Sequence, residues 1–136
     1  MVFVFDTNTL VSAILKPESI PTKAVSLALR KGNIVFSVET KAELLNVVTR
    51  DKFNKYLHKQ DRIAKAEDII GLRKPERNVS KEIVTCRDPN DIKFLLLALA
   101  ANASCLVSGD KDLTELNPFR NIPILTPRQF LDKYSH

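Results

Sequence analysis

Four carboxylates stand where a sheet protein places its chemistry. Asp6 closes the apolar run Val2-Phe3-Val4-Phe5, and Glu43 lies early in an amphipathic stretch after Ile34-Val35-Phe36. Asp91 opens the apolar run Ile92 to Leu99, and Asp110 follows Leu106-Val107. Ligands of open α/β sheets bind beyond the carboxyl ends of the strands. Singly, each acid has an ordinary role. Asp6 is a strand-end or helix-cap residue, Glu43 a solvated acid, and Asp88 an N-cap with Pro89 in the first helical position. Asp91 is then a helix-start acid, and Asp110 or Asp112 caps a short helix. Together they weigh differently, because carboxylates about 4 Å apart repel by ~4 kcal/mol at an effective dielectric near 20. Several such pairs threaten a fold worth about 5–15 kcal/mol. Such a site persists if a cation occupies it or if the acids share protons. Oxygen-only donors, with no His or Cys among them, favour Mg²⁺ or Mn²⁺ over zinc.

The elements that must position these acids are readable from periodicity. Val2–Phe5, Ile34–Phe36, Leu106–Val107 and Ile122–Leu125 have the apolar, β-branched character of buried strands, with a weaker candidate at Glu82–Thr85. Between them lie helical patterns. One follows Asp6, with Thr7-Asn8-Thr9 offering caps, to about Leu15; another runs from about Thr22 to Lys31 and ends at Gly32. A long one spans about Glu39 to Leu57, with a break near Asp51 and a core stripe of Leu44, Val47 and Val48. Others cover about Asp61–Leu72, Asp91–Ala101, Asp112–Leu116 and Pro127–Lys133. The helix from Asp91 is apolar on nearly every face, which predicts burial in the middle of the molecule. Alternating strands and helices predict an α/β fold with a mainly parallel sheet.

Composition narrows the class. The 136 residues are 44% hydrophobic and 27% charged with only three Gly, which excludes disorder and collagen-like repeats. One domain over residues 1–136 is expected, burying roughly 65–70% of its unfolded surface without disulfides. No apolar run approaches the roughly 20 residues of a membrane span. The start lacks a basic segment and a cleavage site, so a cytoplasmic protein is expected. Cys86 and Cys105 sit in apolar surroundings and read as buried thiols. The net charge is +5. Lys41 to Arg77 holds ten basic against six acidic residues, a balance of +4, so most of the excess is central.

Four segments in order carry a resemblance. They are Val4-Phe5-Asp6-Thr7-Asn8-Thr9-Leu10, Ser37-Val38-Glu39-Thr40-Lys41-Ala42-Glu43-Leu44, Cys86-Arg87-Asp88-Pro89-Asn90-Asp91 with Lys93-Phe94, and Leu106-Val107-Ser108-Gly109-Asp110-Lys111-Asp112-Leu113. Over its whole length the chain resembles the PIN domain (PilT N-terminal domain) nucleases, and more narrowly the VapC-like toxins of bacterial toxin–antitoxin pairs. The resemblance implies a three-layer α/β/α fold with a five-stranded sheet in the order 3-2-1-4-5. It implies a metal-dependent endoribonuclease that hydrolyses phosphodiester bonds in single-stranded or loop RNA with Mg²⁺ or Mn²⁺. Asp6, Glu43, Asp91 and Asp110 match the family's acidic quartet, and Asp112 matches a frequent extra acid. Asp91 is preferred over Asp88 because it lies seven residues before Ala98, as the family pattern prefers. Asn8 and Ser108 match small polar positions that support the site. Asn102 replaces the usual Gly at a helix end, and Asn tolerates the left-handed conformation needed there. On this reading Asp6, Asp91 and Asp110, with Asp112, hold one or two metal ions. Glu43 positions a water or acts as its base. A cognate antitoxin and a homodimer are the implied partners.

The basic centre is the expected RNA surface. Arg50, Lys52, Lys55, Lys59, Arg62 and Lys65 fall close together, with Phe53 and Tyr56 interleaved, while Lys93 and Lys111 adjoin the acids. His58 reads as a surface residue. Two other classes compete: a catalytically inactive PIN-like module that only binds RNA or protein, and a receiver-like phosphoacceptor domain. The second requires paired acids after the first strand and a Lys after the last, whereas this chain has only Asp6 at the first and Leu125-Thr126-Pro127 at the last.

Overall fold

The computed structural model describes residues 1–71, 75–79, 84 and 86–135. Four strands, β1 (Val2–Phe5), β2 (Asn33–Ile34), β3 (Cys105–Val107) and β4 (Ile124–Leu125), form one sheet in the order β2-β1-β3-β4. Every pairing is parallel, with Phe3 opposite Ile34 and Cys105, and Leu106 opposite Ile124. The helices are α1 (Thr7–Leu15), α2 (Ile20–Lys31), α3 (Val38–Val48), α4 (Lys59–Ile70), α5 (Ile92–Ala101), α6 (Lys111–Thr114) and α7 (Pro127–Tyr134). Single 3₁₀ turns span Asp51–Phe53 and Pro89–Asp91. Among the described residues the expected order is preserved with four strands, where five were expected. The candidate strand at Glu82–Thr85 falls largely outside the described residues, and Val84, which is described, lies in no strand.

Alternation along the central strands builds the layers. Phe3, Phe5, Cys105 and Val107 point to one face, where α1, α2, α3, α4 and Phe130 of α7 pack. Val4 and Leu106 point to the other, against Phe94, Leu95, Leu97 and Ala98 of α5 and Leu113 of α6. A two-residue side-chain period puts neighbours on opposite faces, so a fully apolar strand must be covered on both. The helix α5 therefore caps one face, with Ile92, Leu96 and Leu99 half-buried at its margin, rather than lying enclosed as its apolar surface predicts. Among the described residues no helix is long and apolar enough to cross a membrane.

Local chemistry sets the boundaries. Asp6, not Thr7-Asn8-Thr9, caps α1. Ser19 caps α2, which begins before Thr22 and takes Pro21 into its first turn, where a missing N–H costs nothing. Ser37 and Thr40 cap α3 reciprocally. The long central helix stops at Val48, before the expected break, and the chain then crosses to α4 through the 3₁₀ turn. Asn102 ends α5 in the left-handed region at φ 48°. Cys105 is fully buried and its thiol is pushed up to about 12 by burial, but Cys86 is only half-buried, which corrects the expectation for that residue.

Gly32 ends α2, and a Cβ there would lie 2.0 Å from the Met1 carbonyl oxygen, which accepts the Asn33 N–H. Gly32→Ala must push β1 away from β2 at their first pairing. The expected loss is about 1–3 kcal/mol, the usual cost of overpacking, read as a lower urea midpoint with an unchanged slope.

Candidate active site

The acids converge because strand ends, helix starts and caps coincide. Asp6 leaves β1 and donates its N–H to Val107 at 3.0 Å, so its backbone is tied to the end of β3. One Asp6 carboxylate oxygen accepts the Thr9 N–H at 2.9 Å, and the other accepts the Ser108 hydroxyl. Ser108, fully buried beyond β3, also accepts the Asp110 N–H at 3.0 Å. Asp110 in turn caps α6 by accepting the Asp112 N–H at 2.9 Å. From the other side, Asp88 accepts the Asn90 N–H at 3.0 Å and caps the turn that delivers Asp91. Glu43 arrives from α3. It accepts the Thr7 hydroxyl and pairs with Lys93 at 2.6 Å, and Lys93 also donates to the Asn90 carbonyl at 2.7 Å.

One carboxylate oxygen from each of Asp88, Asp91, Asp110 and Asp112 lies within 4.8 Å of the others. Asp6, Asn8, Glu43, Arg50, Asp88, Asp91 and Asp110 line a cleft of about 370 Å³. Asp112 sits at the back of the cluster, where Arg87 approaches it at 3.5 Å. Asp91 is 8% exposed, and its Oδ2 is buried with no hydrogen-bond partner. Burial first, then the hydrogen bond and charge of Asp110, then the charges of Asp88 and Asp6, push the Asp91 carboxyl up to about 7. Burial also raises Asp6; the bonds from Ser108 and Thr9 oppose it, and the Asp110 charge adds to it.

This donor set fits a hard divalent cation. All the donors are carboxylate oxygens, and burial together with the neighbouring acids pushes the carboxyl of one of them, Asp91, up to about 7. An orphaned buried carboxylate oxygen is costly unless something binds it, since such groups ordinarily find a partner.

The expected residues thus fall into place unequally. Asp6, Glu43, Asp91, Asp110 and Asn8 share the cleft, Ser108 supports it from below, and Asp112 completes the cluster behind. Asp88, read from sequence as a cap only, is both a cap and a member of the cluster. Its i, i+3 spacing from Asp91 across a 3₁₀ turn was the available signal. Thr7, also missed, holds Glu43 from its place beside Asp6. Among the basic residues, exposed Arg50 lines the cleft and Lys93 is engaged by Glu43. Lys52, Lys55, Lys59 and Lys111 are exposed, as is Tyr56, whereas Phe53 packs on the core. Arg62 is a correction. Its side chain is fully buried and bonded to backbone carbonyls, so it offers no surface to a phosphate.

The profile of the PIN domain matches residues 2–112, and the chain belongs to the PIN domain family. An uncharacterized protein of Methanocaldococcus jannaschii is 29% identical over 140 residues, covering 96% of this chain and 90% of the relative. Among solved structures, VapBC2 from Rickettsia felis bound to a DNA fragment from their promoter matches with a TM-score of 0.63 and 19% identity. That match covers 93% of this chain and 98% of the other. The second likeness is one of fold.

Proposed function

We propose that this chain is one PIN nuclease domain, a divalent-metal-dependent endoribonuclease acting as the toxin of a toxin–antitoxin pair. The observation that carries the reading is the buried, unpartnered Oδ2 of Asp91 inside a cluster of four aspartates. Asp6, Asp91 and Asp110 would hold Mg²⁺ or Mn²⁺, with Asp88 and Asp112 beside them. When bound, such a cation activates water and neutralises charge on a scissile phosphate. The protein's own groups supply the rest. Thr7 and Lys93 hold the two Glu43 oxygens, so Glu43 is oriented to take the proton of the attacking water. Arg50 lines the same cleft and places a guanidinium where a flanking phosphate of the strand would lie. Ser108 keeps Asp6 and Asp110 in register by bridging them.

A second copy of the chain and a small antitoxin protein are the proposed partners. The fold likeness to a protein from a VapBC2 complex supports the latter. The protein belongs in the cytoplasm on this reading, where an RNA target and Mg²⁺ are both at hand. The test is cleavage of a mixed-sequence single-stranded RNA carrying a fluorophore and a quencher. Cleavage that requires Mn²⁺ or Mg²⁺ and stops with EDTA is the expected result. A protein that binds Mn²⁺ yet cuts neither this RNA nor a structured loop RNA would overturn the ribonuclease assignment.

A further inference from the structure

Arg62 is fully buried on α4, and no acid pairs with it among the described residues. Its guanidinium is spent on the last residue of α3 and on the chain segment that leads from there to α4. Nε donates to the Val48 carbonyl at 2.6 Å, and Nη1 donates to the Leu57 carbonyl. Nη2 donates to the Arg50 carbonyl at 3.2 Å and to the Asn54 side-chain oxygen at 3.1 Å. Arginine carries five N–H donors in a rigid fork, and four partners use most of them. Val48 is the last residue of α3, so one acceptor lies at the negative end of a helix dipole.

A buried cation without a carboxylate is expensive to keep. Its geometry indicates its use. All four acceptors belong to residues 48–57, and that segment carries Arg50 at the acidic cleft. It also carries Lys52 and Lys55, and Tyr56 at 54% exposure with the Lys55 ammonium 5.2 Å above its ring. Cations spaced along a segment with an exposed aromatic ring match what single-stranded nucleic acid needs: phosphate neutralisation and a face for a base. A loop held in advance loses less entropy when it binds.

We infer that Arg62 is a positioning residue, an internal staple that holds residues 48–57 preformed as the single-stranded RNA contact of the site, with Arg50 aimed at the cleft. The inference rests on the ribonuclease reading above and adds the element that recognises the strand. Lysine cannot replace it, because one ammonium cannot reach four acceptors in that plane.

The test compares wild type, Arg62→Lys, Asn54→Ala and Phe130→Leu. Phe130 of α7 packs edge-on against Phe3 of β1 and serves as a core control for lost stability. Binding of a fluorescein-labelled single-stranded RNA is followed by anisotropy in EDTA, and amide exchange is followed over residues 48–57. Arg62→Lys is expected to bind about tenfold more weakly, the scale of one lost charge-assisted bond. Its slope of log affinity against log salt should flatten by about 0.7 if the Arg50 contact is lost. Asn54→Ala should weaken binding by about two- to threefold, and both should speed exchange in the segment. Phe130→Leu should melt lower and bind like wild type. A folded Arg62→Lys that binds like wild type overturns the inference, as does a Phe130→Leu that loses as much binding. If Arg62→Lys does not fold, Asn54→Ala decides, and unchanged affinity with unchanged exchange overturns it. A wild type that binds no RNA overturns both the RNA reading and the staple's purpose. Binding by every variant with wild-type affinity overturns only the staple.

Discussion

Asp91→Asn is expected to melt higher than the wild-type protein in EDTA at pH 8, and to lose the rise that Mn²⁺ produces in the wild type. At pH 8 the Asp91 carboxyl, held up to about 7, is mostly ionised inside a cluster whose oxygens lie within 4.8 Å. Each like-charge pair at that distance costs about 3 kcal/mol at an effective dielectric near 20. Asn removes one charge and keeps the shape. The pH dependence has a definite sign. The unfolded carboxyl releases its proton near the ordinary 3.8 and the folded one near 7, so between them the folded chain binds the extra proton. The contribution of Asp91 to stability is therefore complete on the acid side and is lost as pH rises through 7. The melting advantage of Asp91→Asn over wild type should accordingly grow between pH 5 and 8 and reach on the order of 1–3 kcal/mol. Metal reverses the preference, because a cation binds the ionised acid. At a hundred times its dissociation constant, Mn²⁺ adds about 2.7 kcal/mol to the wild type, or about 9 °C in a chain of this size. Below pH 7 Mn²⁺ affinity should fall by up to tenfold per unit as one proton competes. Differential scanning fluorimetry across pH and Mn²⁺ concentration reads all of this. A mutant that keeps the full Mn²⁺ shift would remove Asp91 from the metal site.

Asp6→Asn is expected to leave the fold nearly intact and to cut the rate of RNA cleavage by at least about 10²–10³-fold, the scale of losing one preorganised charge at a reacting centre. Asp6 has two structural roles, as cap of α1 and as acceptor of the Ser108 hydroxyl. Asn serves as a cap as well as Asp, and a hydroxyl can rotate to accept from the new amide. What Asn cannot supply is negative charge. The substitution therefore separates the structural from the chemical role of one residue. Asp6→Ala should in addition lose about 1 kcal/mol through the missing cap. Single-turnover cleavage at saturating Mn²⁺, with melting of the same samples, gives both readouts. Undiminished cleavage by Asp6→Asn would place the reacting phosphate elsewhere.

Much of this protein was legible as sequence because its signals are local. Phe3-Val4-Phe5 states a strand covered on both faces, and the caps and breakers near Gly32, Asn102 and Pro127 mark helix ends within a residue or two. Asp6, Asp91 and Asp110 stood out because each follows or opens such an element, and Glu43 because it lies in the first half of the helix after the second strand. Chain reading went astray where a local signal had two uses. The cap at Asp88 hid a member of the acid cluster. Arg62 lies among surface lysines in sequence, yet it turns inward. Periodicity could not separate it from Lys59 or Lys65, because the acceptors that make its burial tolerable come from a segment 5–14 residues earlier.

The sequence by itself determined the class of the fold and marked the acids as candidates, since these depend on side-chain period, capping and residue type, while the sheet order came from the family resemblance. The tertiary structure alone decided which acids share one field, which of them keeps a proton near neutrality and which cation is a ligand of the backbone. Those properties depend on distance and on exclusion of water. Both are set only when strand ends as far apart in the chain as Asp6 and Ser108 are brought within a hydrogen bond of each other.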